Sequence, residues 1–299
     1  MIRFVVALAL LVGASSLAGV NPDGSFTQRV AIALPAGAGG VHPTLALAYD
    51  SNSPDGWVGR GWRLEGLPIV TRARVGGGPR FDRSDALQTH EGVLVREGNT
   101  GPYRAQHDNQ SAWFLEGTCG QGPCSLRMED RDGWRWYFGE SDGARLRNAS
   151  TVAAWGLSRV VSPSGLSWSV QWLNADRQLL PESVSWTHGA GSELRRVAFT
   201  YEARPATDRI PTFTTGLEGS LDRRLSRITV TSAEVPVREY RLTYDAVERR
   251  RSLLTSVQEF GADGTSTLSP LTFRYAPVQQ GPSNIGDTFP NTTDITTRG

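Results

Sequence analysis

Two cysteines and four histidines are the residues best suited to metal or nucleophilic chemistry, and their spacing supports neither. Cys119 and Cys124 stand in the stretch CGQGPC, and no histidine lies within ten residues of them. Redox motifs more often separate their cysteines by two residues, and a zinc site needs further ligands. His42, His90, His107 and His188 fall on four separate segments without metal-ligand spacing. A local structural disulfide is the remaining expectation, and Gly120, Gly122 and Pro123 favour the tight loop it needs.

Hydrolytic and phosphate chemistry find no better footing. HExxH, P-loop and GxSxG patterns are absent. Asp130-Arg131-Asp132-Gly133 resembles part of a calcium loop, but Met128 holds the place of the first acidic ligand, so a hairpin turn is expected. The glycine runs at 39–43 and 75–79 lack the following helix that a phosphate cradle requires. Carboxylates are plentiful, yet no pair is singled out for glycoside chemistry. The expectation is a non-enzymatic chain with no catalytic residue, no cofactor and no metal.

The elements that carry these residues are strands. Apolar residues recur with period two: Val30, Ile32 and Leu34; Leu45, Leu47 and Tyr49; Leu166, Trp168, Val170 and Trp172; Tyr240, Leu242 and Tyr244. Such alternation belongs to antiparallel strands with one buried face. Turn signals separate them, at NPDG (21–24), SPDG (53–56), RDG (131–133), SDG (141–143), SPSG (162–165) and ADG (262–264). Only 152–160 and parts of 217–228 read as weakly helical. The fold class is all-β, many short antiparallel strands forming a sandwich- or shell-like domain. Most of the nine tryptophans sit on apolar strand faces, which assigns them to the core rather than to a stacking platform.

The chain of 299 residues carries a net charge of +1 and no lysine, so no nucleic-acid partner is expected. Residues 1–18 read as a secretory signal peptide: Arg3, an apolar run from Phe4 to about Val12, then small residues up to Ala18. Export would provide the oxidising compartment that the disulfide requires. The destination is extracellular, with the periplasm or cell surface compatible, and no later segment reaches membrane-spanning length. Residues 19–276 read as one β domain with a soft internal boundary near 203–222, where a Pro-, Thr- and Gly-rich stretch suggests a long surface loop. Residues 277–299 are polar and unpatterned, as a linker or tail would be.

The stretch DGWVGRGWRLEGL, 55–67, is the most distinctive of the chain. Trp57 and Trp62 lie five apart, so an unbroken strand would send them to opposite faces. Gly59 and Gly61 allow a bulge or bend between them, which predicts a structural corner anchored by Trp62, with Arg60 and Arg63 facing outward.

The longer order of residues 32–72 resembles the N-terminal domain shared by SpvB-type virulence-plasmid proteins and the TcB component of bacterial insecticidal toxin complexes. Pro35, Gly37, Gly39, Gly40, Pro43, Leu45, Leu47, Tyr49 and Ser51 match its first half, and Gly59, Gly61, Trp62, Leu64, Gly66 and Leu67 its second. WGLSRVVSPSGLSWSVQW at 155–172 looks like a further segment of that family, with Ser162 and Leu166 where Asp and Asn are usual. The resemblance implies a structural role: part of a hollow β shell that encloses or delivers a toxic cargo, in a toxin-complex or Rhs-like protein. The implied partners are other toxin-complex components, or downstream propeller and Tyr-Asp-repeat segments. The ADP-ribosyltransferase of the plasmid protein belongs to a separate domain, and its Glu-x-Glu pattern is absent here. A stand-alone secreted carbohydrate- or surface-binding module is the alternative.

Overall fold

The computed structural model describes residues 16–74, 76–107, 110–188, 193–213, 215–245 and 251–275. Most of the expected leader and the expected tail lie outside these residues. The described residues are all-β, 56% strand and 2% helix, and the strands among them pair antiparallel.

Three units follow one another. An N-terminal sheet orders Ser16–Val20, Phe26–Ile32, Leu45–Asp50 and Trp62–Glu65 side by side. A barrel of eight strands comes next, from Ile69–Ala73 through Ala86–Thr89, Gly92–Arg96, Tyr103–Ala105, Ala112–Glu116, Ser125–Glu129 and Arg135–Phe138 to Val152–Val161. The last strand closes the ring because its two halves have different partners. Ala154, Trp155 and Gly156 pair with Ile69–Ala73, whereas Leu157 to Val161 pair with Arg135–Phe138. A meander then extends the same sheet from Val152–Val161 through Ser167–Ala175, Gln178–His188, Glu193–Ala203, Arg223–Ser232, Val235–Asp245 and Leu253–Gly261 to Leu271–Thr272.

The two segments expected to lean helical are strands. Val152–Val161 is buried at nine of its ten positions, so it has no exposed face to print an alternating pattern. A strand covered on both sides reads as a continuous apolar run, which sequence alone confuses with a buried helix. The 217–228 stretch contains Gly219–Ser220 and enters Arg223–Ser232, whose Leu225, Ile228 and Val230 are fully buried.

One cross-strand row organises the core. Trp113, Met128, Trp136, Val160, Trp168 and Trp186 are consecutive partners from the barrel into the meander. Six of the nine tryptophans are buried, and Trp57, Trp134 and Trp136 are half-buried. The adjacent row faces outward, running Phe114, Arg127, Tyr137, Arg159, Ser169, Ser185, Arg196. There Arg127 lies 4.2 Å over Phe114 and Arg159 4.1 Å over Tyr137, each guanidinium also paired with glutamate. Alternation in each strand thus becomes a tryptophan layer inside and an arginine–aromatic layer outside.

The turns combine expected and unexpected chemistry. NPDG, RDG and SPSG each join paired strands. In the last, Ser162 Oγ accepts the Leu166 N–H at 3.1 Å, so serine performs the turn-closing role that aspartate would. Asp176-Arg177 and Ala233-Glu234 also form two-residue hairpins, with φ between 49° and 65° at all four residues. Those are the left-handed values of a type I′ turn, reached here without glycine.

Candidate functional site

The corner at 55–67 is built as a double reversal. Asp55–Gly56 and Gly59–Arg60 form a short hairpin whose tip is Trp57-Val58. The chain then turns again at Gly61 into Trp62–Glu65. Gly59 and Gly61 have φ of 105° and 75°, and a Cβ on Gly61 would stand 2.6 Å from the Tyr49 ring. The two tryptophans enter different pockets of the core. Trp62 is 3% exposed and packs its ring on Phe273 and Tyr49, with centroids 4.7 and 5.3 Å away. Trp57 is half-buried and meets Tyr201 edge-on at 5.8 Å. Arg60 and Arg63 are exposed.

This corner fastens the N-terminal sheet to the end of the meander. The Leu225 N–H donates to the Trp57 carbonyl at 2.7 Å, and the Arg60 N–H to the Ser252 carbonyl at 2.9 Å. Behind it, Arg204 and Asp208 form an ion pair of 3.0 Å with both side chains fully buried. Arg204 also donates to the carbonyls of Gly56 and Arg223, and the Ser252 hydroxyl donates to Asp208. Burial pulls Arg204 below its ordinary pKa, and the Asp208 charge opposes that pull. The 203–222 stretch, though loop-like in composition, is therefore pinned by charges inside the protein.

Two features of the barrel stand out, a buried arginine and a cavity. Arg72, with 2% of its side chain exposed, pairs with Asp85 at 3.4 Å. It donates to the carbonyls of Val152 (2.7 Å), Asp82 (2.8 Å) and Gln121 (3.2 Å), and to the Thr151 hydroxyl (3.0 Å). Gln121 lies in the loop closed by the Cys119–Cys124 disulfide, and a Cβ on Gly122 would reach 2.3 Å from Arg72. The disulfide loop is thus moulded onto a buried guanidinium. Nothing in the CGQGPC spacing signals that partner, because it comes from a distant strand.

The cavity, here called the barrel mouth, measures about 970 Å³ and lies between the barrel and the N-terminal sheet. One wall is the corner itself, from Arg63 to Pro68, and the apolar floor is Met128, Trp136 and Phe138. The rim carries His90, Glu91, Asp130, Arg131 and Asp132 from two barrel turns. Its carboxylates are engaged. Glu65 meets Arg63 and Arg29 at 2.8 and 3.0 Å, and Asp130 Oδ1 accepts the N–H groups of Asp132 and Trp134. Glu91 approaches His90 at 3.6 Å and accepts from Ser111 Oγ at 3.3 Å. Asp130-Arg131-Asp132-Gly133 is the turn expected of it, not a cation loop.

His42 is held by the Gly40 carbonyl at 2.8 Å, and the His107 backbone N–H donates to the carbonyl of Glu91, next to His90, at 3.4 Å. Among the described residues, no three of His, Cys, Asp and Glu come together as metal ligands would. No helix among them is long and apolar enough to cross a membrane.

Residues 20–119 match the model of the SpvB family, the Salmonella virulence plasmid 65kDa B protein. No curated protein matches the chain. Among solved structures, a TcdB2–TccC3 crystal structure superposes with a TM-score of 0.69 at 20% identity, covering 88% of this chain and 17% of that one. A Tc holotoxin pore of Photorhabdus luminescens gives the same TM-score and identity, over 88% of this chain and 16% of its own. The N-terminal domain of the effector SpvB from Salmonella typhimurium strain LT2 gives 0.64 at 18% identity, over 78% of this chain and 98% of that domain. The sequence match relates this chain to SpvB, and the superpositions show a fold shared with Tc-toxin components. The chain spans about a sixth of the length of those Tc chains.

Proposed function

We propose, starting from that relationship, that the chain is a non-catalytic structural domain of an exported toxin-complex or Rhs-like protein. It contributes a curved wall to a β shell whose remaining wall and cargo come from other segments or partner subunits. The observation that carries this reading is the uninterrupted sheet running from the barrel through the meander, in a fold that a Tc chain shares over 88% of this chain. The partnered carboxylates of the barrel mouth support a role without catalysis. Six of the nine tryptophans are buried rather than offered as an aromatic platform for a sugar, which disfavours a stand-alone carbohydrate module.

The test is to express the whole reading frame with its neighbouring genes and image the purified product. A hollow particle whose wall accommodates this domain is the expected result. A compact monomer that encloses nothing would overturn the reading. Amino-terminal sequencing of the exported product tests the leader. Cleavage after Ala18 is expected, and it would remove Ser16, Leu17 and Ala18 from the edge of the N-terminal sheet. An intact Met1 on exported protein would refute it.

A further inference from the structure

The strand Trp62–Glu65 is the last of the N-terminal sheet, and among the described residues no strand lies on its other side. Its hydrogen-bonding phase is fixed by Asp50, whose N–H donates to the Gly61 carbonyl at 2.9 Å. In an antiparallel ladder, bonded and unbonded pairs alternate. Arg63 and Glu65 therefore bond back to Ala48 and Ala46, and Leu64 directs its N–H and C=O to the open edge. That edge borders the cavity at the barrel mouth, beside the apolar floor of Met128, Trp136 and Phe138.

Charge selects the occupant. The cavity wall and rim carry four carboxylates, Glu65, Glu91, Asp130 and Asp132, against two guanidiniums, Arg63 and Arg131; Arg63 and Arg29 neutralise Glu65, so the negative excess lies on Glu91, Asp130 and Asp132. Residues 276–299 do not complement this, since their charged groups are Asp287, Asp294 and Arg298. We propose that the barrel mouth binds an extended segment of a partner polypeptide in which apolar residues alternate with arginine or lysine. The segment adds as a strand at Leu64, places an apolar side chain on the Met128–Trp136–Phe138 floor, and presents its cations to Glu91 and Asp132. Main-chain bonds at an open edge give register, and the floor and rim give selectivity.

The probes are a fluorescein-labelled octapeptide of alternating Arg and Leu, its Glu–Leu counterpart, and the Arg–Leu peptide N-methylated at alternate amides. Anisotropy titrations against the full chain should show binding of the first and at least about tenfold weaker binding of the other two. Asp132, 71% exposed, can be replaced without disturbing the fold. Asp132→Asn should weaken the Arg–Leu peptide roughly threefold, while Asp142→Asn, at an 89% exposed carboxylate elsewhere, leaves it unchanged. Failure of the Arg–Leu peptide to bind, equal binding of both charge types, or equal effects of the two substitutions would overturn the proposal. Undiminished binding of the N-methylated peptide would overturn the strand-addition geometry.

Discussion

The indole N–H of Trp62 donates to the Tyr275 hydroxyl at 2.9 Å, and that hydroxyl donates to the Leu254 carbonyl at 2.7 Å. Two residues 213 positions apart thereby close the N-terminal sheet onto the last meander strands. Trp62→Phe keeps most of the ring but leaves the tyrosine without its donor, and should cost about 1–2 kcal/mol in denaturant unfolding. Trp62→Ala should cost about 3–5 kcal/mol through the cavity it opens. A double-mutant cycle with Tyr275→Phe checks the link, and strict additivity would mean that the bond does not couple the two ends.

Gly61 is the second test of the corner. Its φ of 75° and the Tyr49 ring 2.6 Å from a modest Cβ make alanine doubly unfavourable. Gly61→Ala should destabilise by more than about 1 kcal/mol, whereas Gly24→Ala, at φ 83° with nothing near its Cβ, carries only the backbone strain. Equal thermal shifts for the two variants would show that steric crowding at the corner is not what requires glycine.

Breaking the buried Arg204–Asp208 pair from either side should cost about 3–5 kcal/mol, because the surviving charge stays inside the protein. Arg204→Met and Asp208→Asn are the variants. The exposed pair Arg104–Glu97 is the control, and its loss should move stability by less than about 1 kcal/mol. Comparable losses at the two sites would contradict the burial.

Reducing the disulfide should lower stability by about 2 kcal/mol, the chain-entropy value for so short a loop. The structural consequence is more specific. Because the loop carbonyl of Gln121 accepts from Arg72, amide exchange should rise at Thr151 and Val152 as well as between the cysteines. Exchange confined to 119–124 would mean that the Arg72 cluster does not depend on the bond.

Alkaline pH should unfold the protein in a definite window. Burial pushes Tyr240 and Tyr275 up to about 12, and raises Tyr244 further still, from an ordinary value near 10. A raised folded-state pKa favours the neutral phenol, so its contribution is complete below pH 10 and is lost as pH climbs toward 12. Phenolate absorbance and circular dichroism should therefore change together between those values. Full ionisation near pH 10 with the fold intact would refute the burial of these hydroxyls.

Particular residues show how far the sequence could be read. Trp168, Val170 and Trp172 alternate with polar neighbours, so their strand was legible. Val152–Val161 was not, since its burial on both sides removes the alternation that identifies a strand. Asp176-Arg177 and Ala233-Glu234 hid two hairpins because their left-handed backbone is imposed by the paired strands rather than invited by glycine. Arg72 offered no local signal, since its partners come from 82–85, 121 and 151–152. The cavity at the barrel mouth draws on segments from 63 to 138 and was invisible for the same reason.

By itself the sequence determined the all-β class, the position of most turns, the glycine-hinged corner around Trp62 and the likeness to SpvB. These depend on each residue's own conformational range and on which face of its own strand is apolar. Only the tertiary structure decided that Val152–Val161 serves two neighbours on its two halves, closes eight strands into a barrel and leads onward into the meander. Strand pairing is a choice among many chemically similar edges, and it is made by the packing of the tryptophan row and the buried Arg72 and Arg204, not by either strand alone.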